Sequence, residues 1–295
     1  MYSVRLFTIS CFIINQTKSL LFRHSFWILV VFFWVSGNLN SQYNMKLYVG
    51  GLYYHGDLTE NLISSKANIG LGLSCGKEVK PWLDISGRFV FGTISGSDQT
   101  SYNYNYRNRN LSFKSNIYEF SLNSGININQ LFWKSLNKYN LNLFITGGIA
   151  LFHYNPKTLL NERWVALHPV GTEGQNMERY KENKYTLNQL SIPFGLIVEF
   201  DLYRNYKMGL ELSPRITFTD YLDDVSSFYI NRDEMLASGN ELGALLSNRQ
   251  GELSDQNVNV ETGTKRGDNN KMDWYSFLSF YIKYSFPSKK ISKSI

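Results

Sequence analysis

Residues 191–202 read Ser-Ile-Pro-Phe-Gly-Leu-Ile-Val-Glu-Phe-Asp-Leu. Ile192, Phe194, Leu196, Val198, Phe200 and Leu202 are apolar, and the interleaved set contains Ser191, Gly195, Glu199 and Asp201. A period of two marks a strand with two unlike faces, because successive side chains of a strand point to opposite sides. Tyr203-Arg204-Asn205 then reads as a short hairpin turn. The pattern resumes in Lys207–Thr219. There Met208, Leu210, Leu212, Ile216 and Phe218 share one face, and Lys207, Gly209, Glu211, Ser213, Arg215 and Thr217 share the other.

Outward from this hairpin the same alternation recurs. Tyr118, Phe120, Leu122, Ile126 and Ile128 alternate with Glu119, Ser121, Asn123, Gly125 and Asn127. Leu83, Ile85, Phe89 and Phe91 alternate with Asp84, Ser86 and Arg88, and Ile69, Leu71, Leu73 and Cys75 with Asn68, Gly70, Gly72 and Ser74. Asn140–Tyr154 is less regular, Met45–Tyr54 is the first strand, and Asp273–Phe286 is the last. The sum is an even number, eight. Each strand runs about 10–15 residues, longer than the five or six usual in globular sheets and enough for the roughly 9–11 of a tilted membrane strand.

Alternation alone does not separate a soluble sandwich, whose apolar faces point inward, from a membrane barrel, whose apolar faces point to lipid. Three features favour the barrel. Long gaps near 55–67, 95–113, 155–187 and 220–272 alternate with short ones near 77–82, 130–139 and 203–205, the asymmetry of long outer loops and short periplasmic turns. Aromatic residues gather at strand ends (Tyr53, Tyr54, Trp82, Trp133, Tyr154, Trp274, Tyr275), where interfacial girdles form. The last strand carries Leu278, Phe280, Ile282, Tyr284 and Phe286 on alternate positions. The expected fold is therefore all-β, an eight-stranded antiparallel transmembrane β-barrel. Eight strands leave an interior that side chains fill, so Arg88 and Arg215 are expected to neutralise Glu119, Glu199 and Glu211 inside a plugged lumen.

Composition agrees. The 295 residues are 43% hydrophobic, 16% aromatic and only 18% charged, against roughly 25% charged in an average globular chain. Such a chain is not disordered, and no apolar run reaches the roughly 18 residues of a spanning helix. Residues 1–41 read as a signal peptide, with Lys18, Arg23 and His24 before the apolar Ser25–Val35 and small or polar residues 36–41 before the cut. They carry Arg5, Lys18 and Arg23 and no acid, so the net charge of +6 falls to 6 − 3 = +3 on the mature chain. That does not call for nucleic acid, which needs clustered Lys and Arg. The barrel is assigned to 42–286 and a basic tail to 287–295. Cys75, the single cysteine left, is either a plain apolar side chain or a site for an intermolecular bond.

No catalytic constellation stands out. Asp220, Asp223 and Asp224 are the densest acids, and they read either as calcium ligands or as a capped turn leaving the barrel rim. His55 with Asp57 lacks a nucleophile motif. The chain reads as non-enzymatic, without cofactor or metal.

Several segments carry a family likeness. Gly50-Gly51-Leu52-Tyr53-Tyr54-His55-Gly56-Asp57-Leu58, Arg109–Glu119, and Trp164 with Leu167-His168-Pro169-Val170-Gly171-Thr172-Glu173-Gly174-Gln175 fall in order. Ile192-Pro193-Phe194-Gly195, Thr217–Ser226 (including Asp220, Tyr221, Asp223 and Asp224) and Asp273-Trp274-Tyr275 follow. Together they resemble a Bacteroidota outer-membrane β-barrel family that includes PorG, the barrel subunit of the type IX protein secretion system. The resemblance implies a scaffold barrel of outer-membrane lipid that associates with a periplasmic ring of PorK/GldK-like lipoprotein and PorN/GldN-like protein, in machinery that also serves gliding motility. Contacts with such a ring are expected on the short-turn side, at Lys77, Lys80, Trp82, Trp133, Tyr139, Arg204, Tyr206, Lys289 and Lys290. The motif loops fall on the outer side, as a cap over the barrel or as a second contact surface. A ligand-binding or adhesion barrel acting through its outer loops is the competing reading, in which deletion of 238–270 abolishes function and leaves folding intact.

Overall fold

Each alternating stretch forms a strand. The computed structural model describes residues 42–59, 66–132, 140–253 and 260–287. The proposed leader lies outside the described residues, as do Trp133, Tyr139, Lys289 and Lys290. The strands are β1 (Gln42–His55), β2 (Asn68–Lys80), β3 (Leu83–Ser97), β4 (Ser112–Asn127), β5 (Leu141–His153), β6 (Pro156–Leu160), β7 (Arg163–Ala166), β8 (Asn188–Tyr203), β9 (Tyr206–Thr217) and β10 (Trp274–Ser285).

Eight of them close a ring. The order β3-β2-β1-β10-β9-β8-β5-β4 is antiparallel throughout, and β3 pairs with β4 from Leu83↔Ile126 to Ser97↔Ser112. Closure leaves no free edge, which is what a strand-built wall in lipid requires. β1 and β10 form the seam between the two ends of the barrel sequence, from Asn44↔Ser285 to His55↔Trp274. Gly50 lies against the β10 backbone with no room for a side chain: a Cβ there would lie 2.1 Å from the Leu278 carbonyl oxygen. The sequence did not reveal the hairpin β6–β7. It branches from the wall where Lys114 and Ser115 of β4 pair with Lys157 and Pro156 of β6.

The two faces separate as the period predicts. Leu47, Ile69, Leu71, Phe89, Phe120, Ile149, Phe194, Leu196, Leu212 and Ile282 are exposed on the outer wall, Ile69 by 77%. Cys75 lies on this face. An apolar belt running round the whole barrel is far larger than the patches that water-soluble monomers expose; it is the lipid-facing wall of a transmembrane barrel. Among the described residues no helix is long and apolar enough to cross a membrane. At the short-turn end Tyr43, Phe132, Tyr203, Tyr206 and Phe286 are exposed aromatics at the edge of the belt.

The girdle expected from strand-end aromatics needs correcting at three positions. Tyr54, Tyr154 and Tyr275 are fully buried. Tyr54 shares the parity of the inward Lys46 and Tyr48, and Tyr275 that of the inward Phe277 and Tyr281, so these rings point into the barrel. With Leu52, Ile94, Ile117, Phe113 and Phe152 they build an aromatic layer in its outer half. Tyr54 meets Phe113 edge-on at 4.7 Å, and Phe152 meets Tyr275 at 5.4 Å.

Candidate functional site

Below that aromatic layer the lumen is polar and filled. Arg88 Nη1 lies 2.6 Å from Glu211 Oε1, and its other amine donates to Glu211 Oε2 at 2.9 Å and to the Tyr48 hydroxyl at 3.1 Å. Arg215 Nε donates to Glu119 at 2.9 Å, where the Tyr275 hydroxyl also donates at 2.7 Å. Glu199 accepts from the Tyr281 hydroxyl at 2.8 Å and lies 3.4 Å from Lys207 and 3.9 Å from Lys283. Lys283 reaches Glu78 at 2.8 Å, and Lys46 lies 3.7 Å from Asp84.

The five charged residues read from sequence thus converge inside the barrel, but two arginines against three glutamates leave a deficit. Lys46, Lys283 and Asp84 bring the count to four cations (Lys46, Arg88, Arg215, Lys283) facing four carboxylates (Asp84, Glu119, Glu199, Glu211), all buried. Their inward parity was readable: Lys46 falls between the outward Met45 and Leu47, and Lys283 between Ile282 and Tyr284. A buried charge is tolerated when a counter-charge and hydrogen bonds replace its water. The space left beside Lys46, Asp84 and Arg88 is about 10 Å³, room for about one water.

The outer mouth is closed by the motif loops. Gly171 and Gly174 hold φ of +70° and +74°, a backbone that glycine adopts without strain. Between them Glu173 turns inward and is completely buried. Its carboxylate accepts from the amides of Ser226 (3.0 Å) and Ser227 (3.1 Å), from the Ser227 hydroxyl (2.6 Å) and from the Tyr221 hydroxyl (3.2 Å), and pairs with Arg266 at 2.7 Å. Arg266 also donates to the carbonyls of Asp224 and Ser247. Asp224 accepts from Thr172 (2.5 Å) and Tyr185 (2.6 Å). On the opposite flank Arg109 pairs with Asp98 at 2.6 Å and donates to the Asp57 and Arg266 carbonyls. Four segments far apart in sequence are knitted around two arginines, over a core of Leu58, Leu111, Leu167, Val170, Leu222, Val225 and Leu246. The motif loops thus pack together as a cap over the barrel.

Residues 238–270 are accordingly not a detachable loop. Ala244, Leu246 and Arg266 are buried in the cap, so removing the segment would remove part of its core.

Asp220, Asp223 and Asp224 form a capped turn: Asp223 Oδ1 accepts from the Val225 amide at 2.9 Å. Among the described residues no group of three or more His, Cys, Asp or Glu is placed to hold a metal ion. The Tyr54 hydroxyl donates to Asp223 at 2.6 Å and reaches Asp273 at 3.3 Å. Burial pushes Asp220 up to about 8 and Asp224 to about 6. Burial, reinforced by neighbouring carboxylates, carries Asp223 and Asp273 well above the usual range. A carboxyl with a pKa near neutrality can be an acid–base group; here Asp223 and Asp273 accept from the Tyr54 hydroxyl, and Asp273 lines a groove of about 300 Å³ with Phe194, Met272 and Trp274. His55 stacks on Trp274 at 3.8 Å and faces Ser276 Oγ at 3.3 Å.

The other candidate residues divide. Trp164 is exposed on β7, and Pro169 is exposed beside the buried Val170. At the short-turn end Lys80 and Arg204 are exposed, Lys80 lying 5.3 Å from the Trp82 ring and Arg204 4.9 Å from the Tyr203 ring. Tyr206 is exposed and packs on Tyr284 at 5.0 Å. Lys77, expected to be a surface contact, is instead buried, with its ammonium 5.2 Å from the Tyr43 ring. Tyr43 stands directly opposite it across β1–β2 and covers it.

A closed eight-stranded antiparallel ring with an apolar outer wall and a filled lumen defines the class, a small transmembrane β-barrel. Residues 23–240 match the family model described as "Domain of unknown function (DUF6089)", and the chain belongs to that family. No curated protein matches the sequence. Among solved structures it is similar to Neisserial surface protein A (8% identity, 84% of this chain and 98% of that one, TM-score 0.37). It is also similar to Ail, the attachment invasion locus protein of Yersinia pestis, solved with the heparin analogue sucrose octasulfate (9%, 83% and 97%, 0.37). A third is a major outer membrane protein from Thermus thermophilus (11%, 83% and 99%, 0.39).

Proposed function

We propose that this chain is an integral outer-membrane barrel that acts without catalysis, as a scaffold subunit of the type IX secretion system, holding its periplasmic ring of PorK/GldK-like lipoprotein and PorN/GldN-like protein to the membrane. The observation that carries the scaffold reading is the lumen. Arg88–Glu211 and Arg215–Glu119 lie across it at hydrogen-bonding distance, and the cap closes its outer mouth, so work is done on the barrel's outside and ends. The motif resemblance directs the reading to the secretion system. The short-turn end offers Lys80, Trp82, Arg204 and Tyr206 as docking groups, and its arginine and aromatics are of the kind enriched where proteins meet. Mild crosslinking and affinity capture of the tagged protein from detergent is expected to recover the ring proteins, and Lys80→Glu/Arg204→Glu to reduce the yield. Recovery of no ring protein would end this reading.

The order of the cap favours a second function, a ligand-binding or adhesion barrel. Tyr102 and Tyr104 stand on its surface, exposed by 83% and 67%. Tyr102→Ser/Tyr104→Ser would then abolish function while ring capture stays unchanged.

A further inference from the structure

Where β6 branches from the wall, Lys114 of β4 stands directly opposite Lys157 of β6. Like charges facing one another across a strand pair are destabilising, and neither lysine has an acidic partner among the described residues. Lys114 is held 5.6 Å from the ring of Trp164, which projects from β7. The two lysines, Trp164, Asn116, Asn155 and Tyr118 line a groove of about 380 Å³ on the outside of the barrel. His153, hydrogen-bonded to Asn188 at 2.9 Å, forms its floor.

The level of the groove is informative. Along β4 the outward positions run Lys114, Asn116, Tyr118, Phe120, Leu122, passing from cation through amide and phenol to hydrocarbon. Along β5 and onward they run Ile149, Leu151, His153, Asn155, Lys157, from hydrocarbon back to cation. The groove therefore sits where the apolar wall gives way to water on the long-loop side, at headgroup height, with Trp164 in the position of an interfacial anchor.

We propose that this groove binds the phosphate-bearing headgroup of a net-anionic lipid, with its acyl chains lying down the wall over Tyr118, Phe120 and Leu151. The phosphate answers the unpaired charge of Lys114 and Lys157, Asn116 and Asn155 supply amide donors, and Trp164 roofs the site. A free anion would satisfy the lysines but leave the continuous apolar track below them unused, so lipid is the occupant. This rests on the membrane-barrel reading.

The test uses the full chain purified in detergent and checked for heat-modifiable migration, which reports the barrel independently. Mixed micelles of phosphatidylglycerol and phosphatidylcholine are offered, and retained lipid is counted by native mass spectrometry. Preferential retention of phosphatidylglycerol is expected, falling about fivefold for each of Lys114→Gln and Lys157→Gln, equivalent to about 1 kcal/mol per lysine. Lys80→Gln, at the other end and outside the groove, is expected to leave phosphatidylglycerol retention unchanged. No preference in the unaltered protein, retention of the preference in the double variant, an equal loss in Lys80→Gln, or full displacement by inorganic phosphate would overturn the proposal. Absence of heat-modifiable migration would instead break the barrel reading on which it stands.

Discussion

The lumen and the outer cap both bury charge, and they handle it in opposite ways. In the lumen four carboxylates face four cations at matched heights along the strands. In the cap six buried carboxylates (Asp98, Glu173, Asp220, Asp223, Asp224, Asp273) face two buried arginines, Arg109 and Arg266. The lumen satisfies its acids with ion pairs, whereas the cap meets most of its excess with backbone amides and hydroxyls, and Asp220, whose carboxyl oxygens find no donor, holds its proton instead. A strand wall offers side chains alone, because its amides are spent on the ladder, while loops have amides to spare. Glu173 takes two of them and Asp273 takes the amide of Leu222 at 2.9 Å.

The sharpest way to break the comparison is to remove one partner from each region. Glu119→Ala strands Arg215 inside the lumen and is expected to cost about 3–5 kcal/mol, read as a lower temperature of the heat-modifiable gel shift. Glu119→Met/Arg215→Met is expected to recover most of that loss. Glu173→Gln keeps the shape of the hub and loses its charge. An expected cost of about 2–3 kcal/mol falls on the cap alone, so proteolysis between 219 and 273 should rise while the gel shift stays.

Acidity sharpens the contrast further. Asp220 and Asp224 hold their protons more tightly in the folded cap than in the unfolded chain, where the ordinary value is 3.8. Their contribution is fully present below that value and is lost as pH rises through about 6 and about 8. Amide exchange in residues 219–227 is expected to quicken over that range. An exchange profile that slows with rising pH, once corrected for intrinsic chemistry, would contradict it. Tyr54→Phe removes the donor to Asp223 and is expected to cost about 1–2 kcal/mol, visible in the same exchange measurement. The smallest effect belongs to the exposed Arg179–Glu234 pair at 2.7 Å: Arg179→Ala should shift cap stability by less than about 1 kcal/mol.

The same contrast explains what could be read from the amino-acid order. A strand states its faces locally, so Ile192 to Leu202 was enough to place a wall, and Arg88, Glu119, Glu199, Glu211 and Arg215 were enough to place its interior. Strict use of parity would also have turned Tyr54 and Tyr275 inward and added Lys46 and Lys283. The hairpin β6–β7 escaped because its strands are five and four residues long, too short to display a period. The cap escaped because its logic is non-local: Glu173 means nothing until Ser226, Ser227 and Arg266 arrive from about 50 and 90 residues away. Gly171, Glu173 and Asp224 could be marked as a motif, but their partners could not be named.

The seam between β1 and β10 has a kinetic meaning. Asn44 is among the first residues of the barrel and Ser285 among the last, so the ring stays open until the last barrel strand has been delivered. Until then β1 carries a bare edge through every stage of synthesis and transport, the kind of edge that pairs with whatever strand it meets. Long-range closure is also the slowest kind of contact to form. A chain built this way depends on being kept apart from its neighbours during transit, and its final strand acts as the latch that ends the exposure.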